Sequence, residues 1–204
     1  MNDKKIGFTL IELLIVVAII AILAAIAIPN FLEAQVRSKV SRCKSDLRSI
    51  AVGMEAYRVD NSKYPPFIRN GQALIWIQRL VPLSTPIAYL TSIPRDPFQF
   101  GMPRNIQFAP DIYQSYKYDG VECWPDAEGW YNMYGRQNMG FKWEACGYGP
   151  DKDYDDYNWQ GLIPGGVVNY DPTNGSISDG DIYYFGPGGG FGFNERGTVG
   201  NRFM

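Results

Sequence analysis

Residues Gly7-Phe8-Thr9-Leu10-Ile11-Glu12 open an apolar run that reaches Ile28 and decides the fold. From Phe8 to Ile28 there are 21 residues, of which only Thr9 and Glu12 are polar. At about 1.5 Å rise per residue such a segment makes a helix roughly 30 Å long, enough to cross the hydrocarbon of a bilayer. A carboxylate near the head of that run is expensive in an apolar setting and asks for a partner. Two plainer readings compete. A secretory signal peptide also has a basic start, here Lys4 and Lys5, and a small-residue site, here Ala25-Ile26-Ala27. Its apolar stretch is usually only about 7–15 residues, and it does not carry a Glu at its head. The other plain reading is a simple single-span anchor.

The rest of the chain fits one tethered domain. Residues 1–58 hold eight Lys/Arg and five Asp/Glu, whereas residues 59–204 hold eleven and sixteen, so the distal part is acidic. Lys4 and Lys5 ahead of the span place the N-terminus in the cytoplasm and the head outside it. An acidic head gives no support for nucleic-acid binding. The chain has no histidine, which excludes histidine-based triads and zinc sites.

Beyond the apolar run, Val36, Val40, Cys43, Leu47, Ile50, Met54 and Tyr57 recur at alternating spacings of four and three. That is one apolar stripe on an amphipathic helix, and it predicts the face on which a sheet is seated. Pro29 lies between the two halves, where a missing N–H and a ring clash predict a kink or local melting. The helix should end between Tyr57 and Asp60, before Asp60-Asn61-Ser62 and Tyr64-Pro65-Pro66. Gly71 to Leu80 reads as a short second helix with Ala73, Leu74, Ile77 and Leu80 inward. Ser115 to Tyr118 reads as a strand with a turn at Asp119-Gly120. Residues 166–170 and Asp181 to Phe185 read as two more strands, separated by turn residues from Asp171 to Gly180. The aromatic-rich stretch from Trp124 to Trp159 reads as an insertion whose rings belong mostly to a core, and the flexible glycine-rich segment from Phe185 to Gly192 as either a disordered tail or a contact loop of special conformation.

The run GFTLIELLIVVAIIAILAAIAIPNF resembles the N-terminus of type IV pilins and type II secretion pseudopilins. The segments Ala56 to Pro65 and Ala88 to Pro97 are similar to those of major pseudopilins. The resemblance implies an α+β, pilin-like fold, in which a long N-terminal helix carries a small antiparallel sheet. It divides the chain into a leader (1–7), a membrane or filament-core helix (8–28), an amphipathic continuation (29–58) and a globular head (59–204). It implies a prepilin peptidase that cuts after Gly7, methylation of Phe8, and a helix-breaking proline at Pro29. Glu12 then meets the new α-amine, on the same or a neighbouring subunit, because either charge left alone in an apolar core would be stranded.

The expected function is non-enzymatic: a subunit of a helical filament that polymerises with itself. A type II pseudopilus driving export across the outer membrane is the first reading. A type IV pilus pilin is the second, and a membrane-anchored carbohydrate- or protein-binding module is the third. Expected partners are minor pseudopilins, the peptidase, an inner-membrane assembly platform and the membrane. The expected location is the inner membrane with a periplasmic head.

Two further constellations are candidates. Asp151, Asp153 and Asp155 alternate after Gly149-Pro150, an oxygen set suited to Ca²⁺, and similar stretches bind calcium in major pseudopilins. The other reading is a solvated acidic loop. Cys123 and Cys146 lie in the head, where an oxidising compartment favours a disulfide. Cys43, on the helix stripe, reads as a small buried hydrophobe.

Overall fold

In the computed structural model the described residues are 8–66, 68–69, 72–73, 78–99, 115–120, 142–152, 169–175, 178 and 180–187. One helix, α1 (Leu10–Asn61), contains 52 residues and dominates the molecule. It starts at Thr9, whose hydroxyl caps the first turn, and stops at Ser62, which takes a left-handed conformation at φ 59°. The helix thus runs one residue past the expected end and stops inside the Asp60-Asn61-Ser62 cluster.

The apolar stripe packs as expected. Val40, Cys43, Leu47, Ile50 and Met54 are buried, and Val36 and Tyr57 are partly buried against the same core. The local melting expected at Pro29 is not found, since α1 runs unbroken through it. In a 52-residue helix the lost bond and the ring clash weaken one turn, while the bonded turns on either side keep the helix continuous.

The head's main sheet has the order β3-β4-β5 and is antiparallel throughout, with β3 at Lys117–Gly120, β4 at Trp143–Gly147 and β5 at Ile182–Gly186. Its register pairs Tyr118 with Ala145 and Ala145 with Tyr184. Contacts at both ends of β4 seat it on α1. Trp143 Nε1 donates to Glu55 Oε1 at 3.0 Å, while a side chain at Gly147 would run into Cys43 Sγ. The strand therefore runs opposite to the helix, from Glu55 back toward Cys43. The sheet's other face is buried too, with Cys146 next to Tyr183 and with Tyr183 and Phe185 rings stacked 5.8 Å apart.

Three element readings need correction. Where a helix is expected at 71–80, Gln72–Ala73 form a strand, β2, paired with β1 (Ile68–Arg69), and Gln78–Leu83 form a 3-10 helix that buries Leu80 and Leu83, while Leu74 and Ile77 lie outside the described residues. Asp119 and Gly120 do not turn; they continue β3 opposite Glu144 and Trp143. The stretch read as an insertion contributes β4, the middle strand of the sheet. Its alternation is hidden because every residue of Trp143–Gly147 is buried, so the polar-out half of the pattern is missing. The strand expected at Asp181 to Phe185 is present as β5. Of the one expected at 166–170, only Asn169 and Tyr170 are described. Asn169 bridges Asp181, and Tyr170 N donates to Asp181 O. The glycine-rich segment past Pro187 lies outside the described residues.

Candidate functional site

The apolar half of α1 is exposed on every side. Phe8 is 72% exposed, and Leu10, Ile11, Leu14, Ile20, Leu23 and Ile26 are comparably bare. Among the described residues the core takes nothing from it. The same helix is long and apolar enough to cross a membrane. Exposure of this kind is stable only when lipid or other apolar helices surround the segment. Phe31 and Leu32 extend the bare surface past Pro29.

Glu12 sits at the N-terminal end of this helix in a reciprocal cap with Thr9. Thr9 N donates to Glu12 Oε2 at 2.8 Å, Thr9 Oγ1 donates to the same oxygen at 2.7 Å, and Glu12 N donates to Thr9 Oγ1 at 3.3 Å. The carboxylate thus faces the helix start, where free N–H groups and the helix dipole favour negative charge. It is hydrogen-bonded to the nitrogen one residue beyond Phe8. The sequence reading misses Thr9, although the Thr-x-x-Glu spacing is the signature of such a cap. Gly7 lies outside the described residues.

In the head, Asp96 is fully buried and ties two segments together. Its Oδ1 accepts from Phe98 N at 2.8 Å and its Oδ2 from Tyr148 N at 2.7 Å. Burial pushes its carboxyl up to about 6, against those two backbone bonds and with help from the charge of Asp46. Asp46 accepts from Tyr116 Oη at 2.8 Å, and burial raises both the Tyr116 phenol and the Cys43 thiol. This group pins helix to sheet. Its aspartates give no sequence signal, because short-range spacing does not reveal the Asp46–Tyr116 and Asp96–Tyr148 contacts.

Asp151 is exposed, and its Oδ2 accepts from Gly180 N at 2.8 Å. Lys152 follows it at φ 63°, so the chain folds back at this point. Asp153 and Asp155 lie outside the described residues, and no group of three His, Cys, Asp or Glu that could hold a metal occurs among the described ones. Cys146 is a free thiol, so the expected bond to Cys123 is not formed there; Cys123 lies outside the described residues. Cys146 is held in the middle strand between Lys117 and Tyr183, and burial raises its thiol well above the ordinary value.

A long helix, bare and apolar in its first half, with a three-stranded antiparallel sheet seated on its second half, defines a type IV pilin-like subunit. Residues 2–28 match the prokaryotic N-terminal methylation motif, and residues 30–113 match type II secretion system protein G. The chain belongs to the type II secretion system protein G family. It is 30% identical over 103 residues to the type II secretion system core protein G of Klebsiella pneumoniae, covering 47% of this chain and 71% of that protein. It is 33% identical over 140 residues to a type IV major pilin of Myxococcus xanthus, covering 60% of this chain and 64% of the pilin. A type IV wide pilus major component of Thermus thermophilus is 52% identical over 64 residues, which are 31% of this chain and 48% of that protein. The matches thus span about half to seven tenths of these relatives. No solved structure matches the chain significantly.

Proposed function

We propose that this protein is the repeating subunit of a helical, pilus-like filament, a type II secretion pseudopilus whose growth drives proteins across the outer membrane. The observation that carries the reading is the continuous α1, which joins a bare apolar half to a half that holds the head. In the membrane the bare half is solvated by lipid. In a filament it packs against copies of itself, leaving the heads as an outer skin. The subunit is anchored in the inner membrane with its head in the periplasm. A prepilin peptidase removes residues 1–7, Phe8 is methylated, and assembly uses minor pseudopilins and an inner-membrane platform. The role is structural, with neither catalysis nor nucleic-acid binding. The Myxococcus and Thermus relatives favour a second reading, a pilin of a surface pilus.

Cleavage after Gly7 turns the Phe8 nitrogen into a charged amine. Glu12 already accepts from the neighbouring Thr9 nitrogen, which supports pairing within one chain. Glu12→Ala should leave membrane insertion and head folding unchanged and abolish filaments, because the amine loses its counter-charge in the apolar core. Intact mass of the membrane fraction checks the cleavage, and electron microscopy of overexpressing cells checks the fibres. Normal fibres from a correctly cleaved Ala variant would remove charge pairing from the account. Long surface fibres from the unsubstituted protein, in place of short periplasmic ones, would favour the pilus.

Calcium is the second part of this reading. Asp151 is exposed on a chain that folds back at Lys152, and Asp153 and Asp155 follow it closely in sequence. A cation would relieve the repulsion among three carboxylates, and binding to the folded state raises its melting temperature by mass action. The melting temperature should be higher in millimolar calcium than in chelator, and Asp151→Ala should cancel the difference. Equal melting in both buffers would leave an acidic loop and no site.

A further inference from the structure

Asp171 is tied to Ser178, and the described residues between them include the dipeptide Asn174-Gly175. Asp171 N donates to Ser178 Oγ at 2.7 Å, Asp171 Oδ1 accepts from Thr173 N at 2.8 Å, and Asn174 N donates to Asp171 O at 3.2 Å. Asn174 is exposed, and Gly175 follows it in a left-handed conformation at φ 57°. We propose that Asn174 is a self-modification site, converted without an enzyme to aspartate and isoaspartate.

The chemistry needs only these two residues and water. The backbone nitrogen of Gly175 gives up its proton to solvent and attacks Cγ of Asn174. A carbon–nitrogen bond forms, the side-chain amide takes a proton and leaves as ammonia, and a five-membered imide remains. Water then opens that ring at either carbonyl. One product is an aspartate, and the other is an isoaspartate that adds a methylene to the main chain. Glycine is the residue that permits this, because no side chain screens its nitrogen. Asn174 is exposed and admits water to its side-chain amide, while Gly175 is buried, so base reaches the Gly175 nitrogen from the Asn174 side of the turn.

The turn's position gives the conversion a consequence. Gly175 lies against α1, where a side chain added to it would come within 3.6 Å of Glu33 Oε1. Glu33 in turn holds Arg37 at 2.6 Å. A new carboxylate at residue 174 adds negative charge to the turn next to the residue that packs on Glu33, three positions from Asp171, and like charges there repel. The loop is thereby loosened from the helix one turn beyond Pro29, where the bare half of α1 meets the head.

The test uses the full chain in detergent micelles, incubated at mildly alkaline pH and sampled over days by peptide mass mapping. The expected result is a rising fraction of the Asn174 peptide with the mass gain of amide-to-acid conversion, together with its isoaspartyl isomer. Asn174→Gln should abolish the gain in that peptide. The chain's other Asn-Gly pair, Asn70-Gly71, falls in a different peptide and is scored separately. An unconverted Asn174 in the native protein, with conversion seen in a free peptide of the same sequence, would overturn the proposal, because the folded turn would then block the attack. For the consequence, Asn174→Asp should melt lower than the unsubstituted chain, and adding Glu33→Gln should restore most of the loss. An unchanged melting temperature in Asn174→Asp would overturn the loosening.

Discussion

At the scale of single residues, Asp96 shows how a buried carboxyl can hold a head together and also limit it. It receives two backbone N–H bonds, which favour its charged form, yet burial outweighs them and its folded-state pKa rises from 3.8 to about 6. The folded protein therefore holds this proton more tightly than the unfolded chain. The stabilisation is complete below the unfolded pKa and is lost as pH rises through about 6, with a full size on the order of 3 kcal/mol. Asp171 works the other way, since its bonds from Thr173 hold its carboxyl below the usual range. Comparison with a variant isolates Asp96. Going from about pH 7.5 to about pH 5 should raise the melting temperature more for the unsubstituted head than for Asp96→Asn. Parallel pH profiles for the two proteins would show that Asp96 does not titrate in this range.

At the scale of elements, β4 and β5 meet over a glycine. A side chain on Gly186 would fall on Cε2 of Trp143, inside the ring's own space. Trp143 is buried, stacks at 5.9 Å on Tyr184 and bonds to Glu55, so it has nowhere to retreat. Gly186→Ala should destabilise the head by about 1–3 kcal/mol, the usual cost of overpacking. Chemical denaturation followed by Trp fluorescence checks this, and an unchanged midpoint would mean that the strands separate at little cost. The same contact explains what the sequence conceals. The four-and-three spacing from Val36 to Tyr57 announces the helix face because one side of α1 stays wet. Tyr116 and Tyr118 announce β3 by their alternation. Trp143–Gly147 cannot announce β4, because it is covered on both faces and its glycine is chosen by Cys43 and Tyr116 rather than by a turn. The Thr9–Glu12 cap is written in the sequence but overshadowed by the charge of Glu12. The Asp46–Tyr116 and Asp96–Tyr148 contacts span tens of residues and leave no local trace.

At the scale of the whole molecule, the chain divides by what each part buries. Among the described residues the core begins at Val36 and Val40 on the helix and draws nothing from Phe8 to Leu32. The head's stability should therefore not depend on the apolar half, while association should depend on it entirely. A chain starting at Asn30 keeps Glu33 beside Gly175 and loses about 30 Å of apolar helix. It should be monomeric in water without detergent and melt cooperatively. Its melting temperature should match that of the head in the full chain, since no buried contact has been removed. The full chain should need detergent or lipid to stay dispersed. Sedimentation velocity reports the first property, and thermal melts followed by near-ultraviolet circular dichroism report the second. A truncated chain that melts well below the full one would mean that the apolar half supports the head directly. The separation of anchor from head would then be wrong, and filament growth could not proceed by moving a finished head on a passive helix from lipid into a bundle of its own kind.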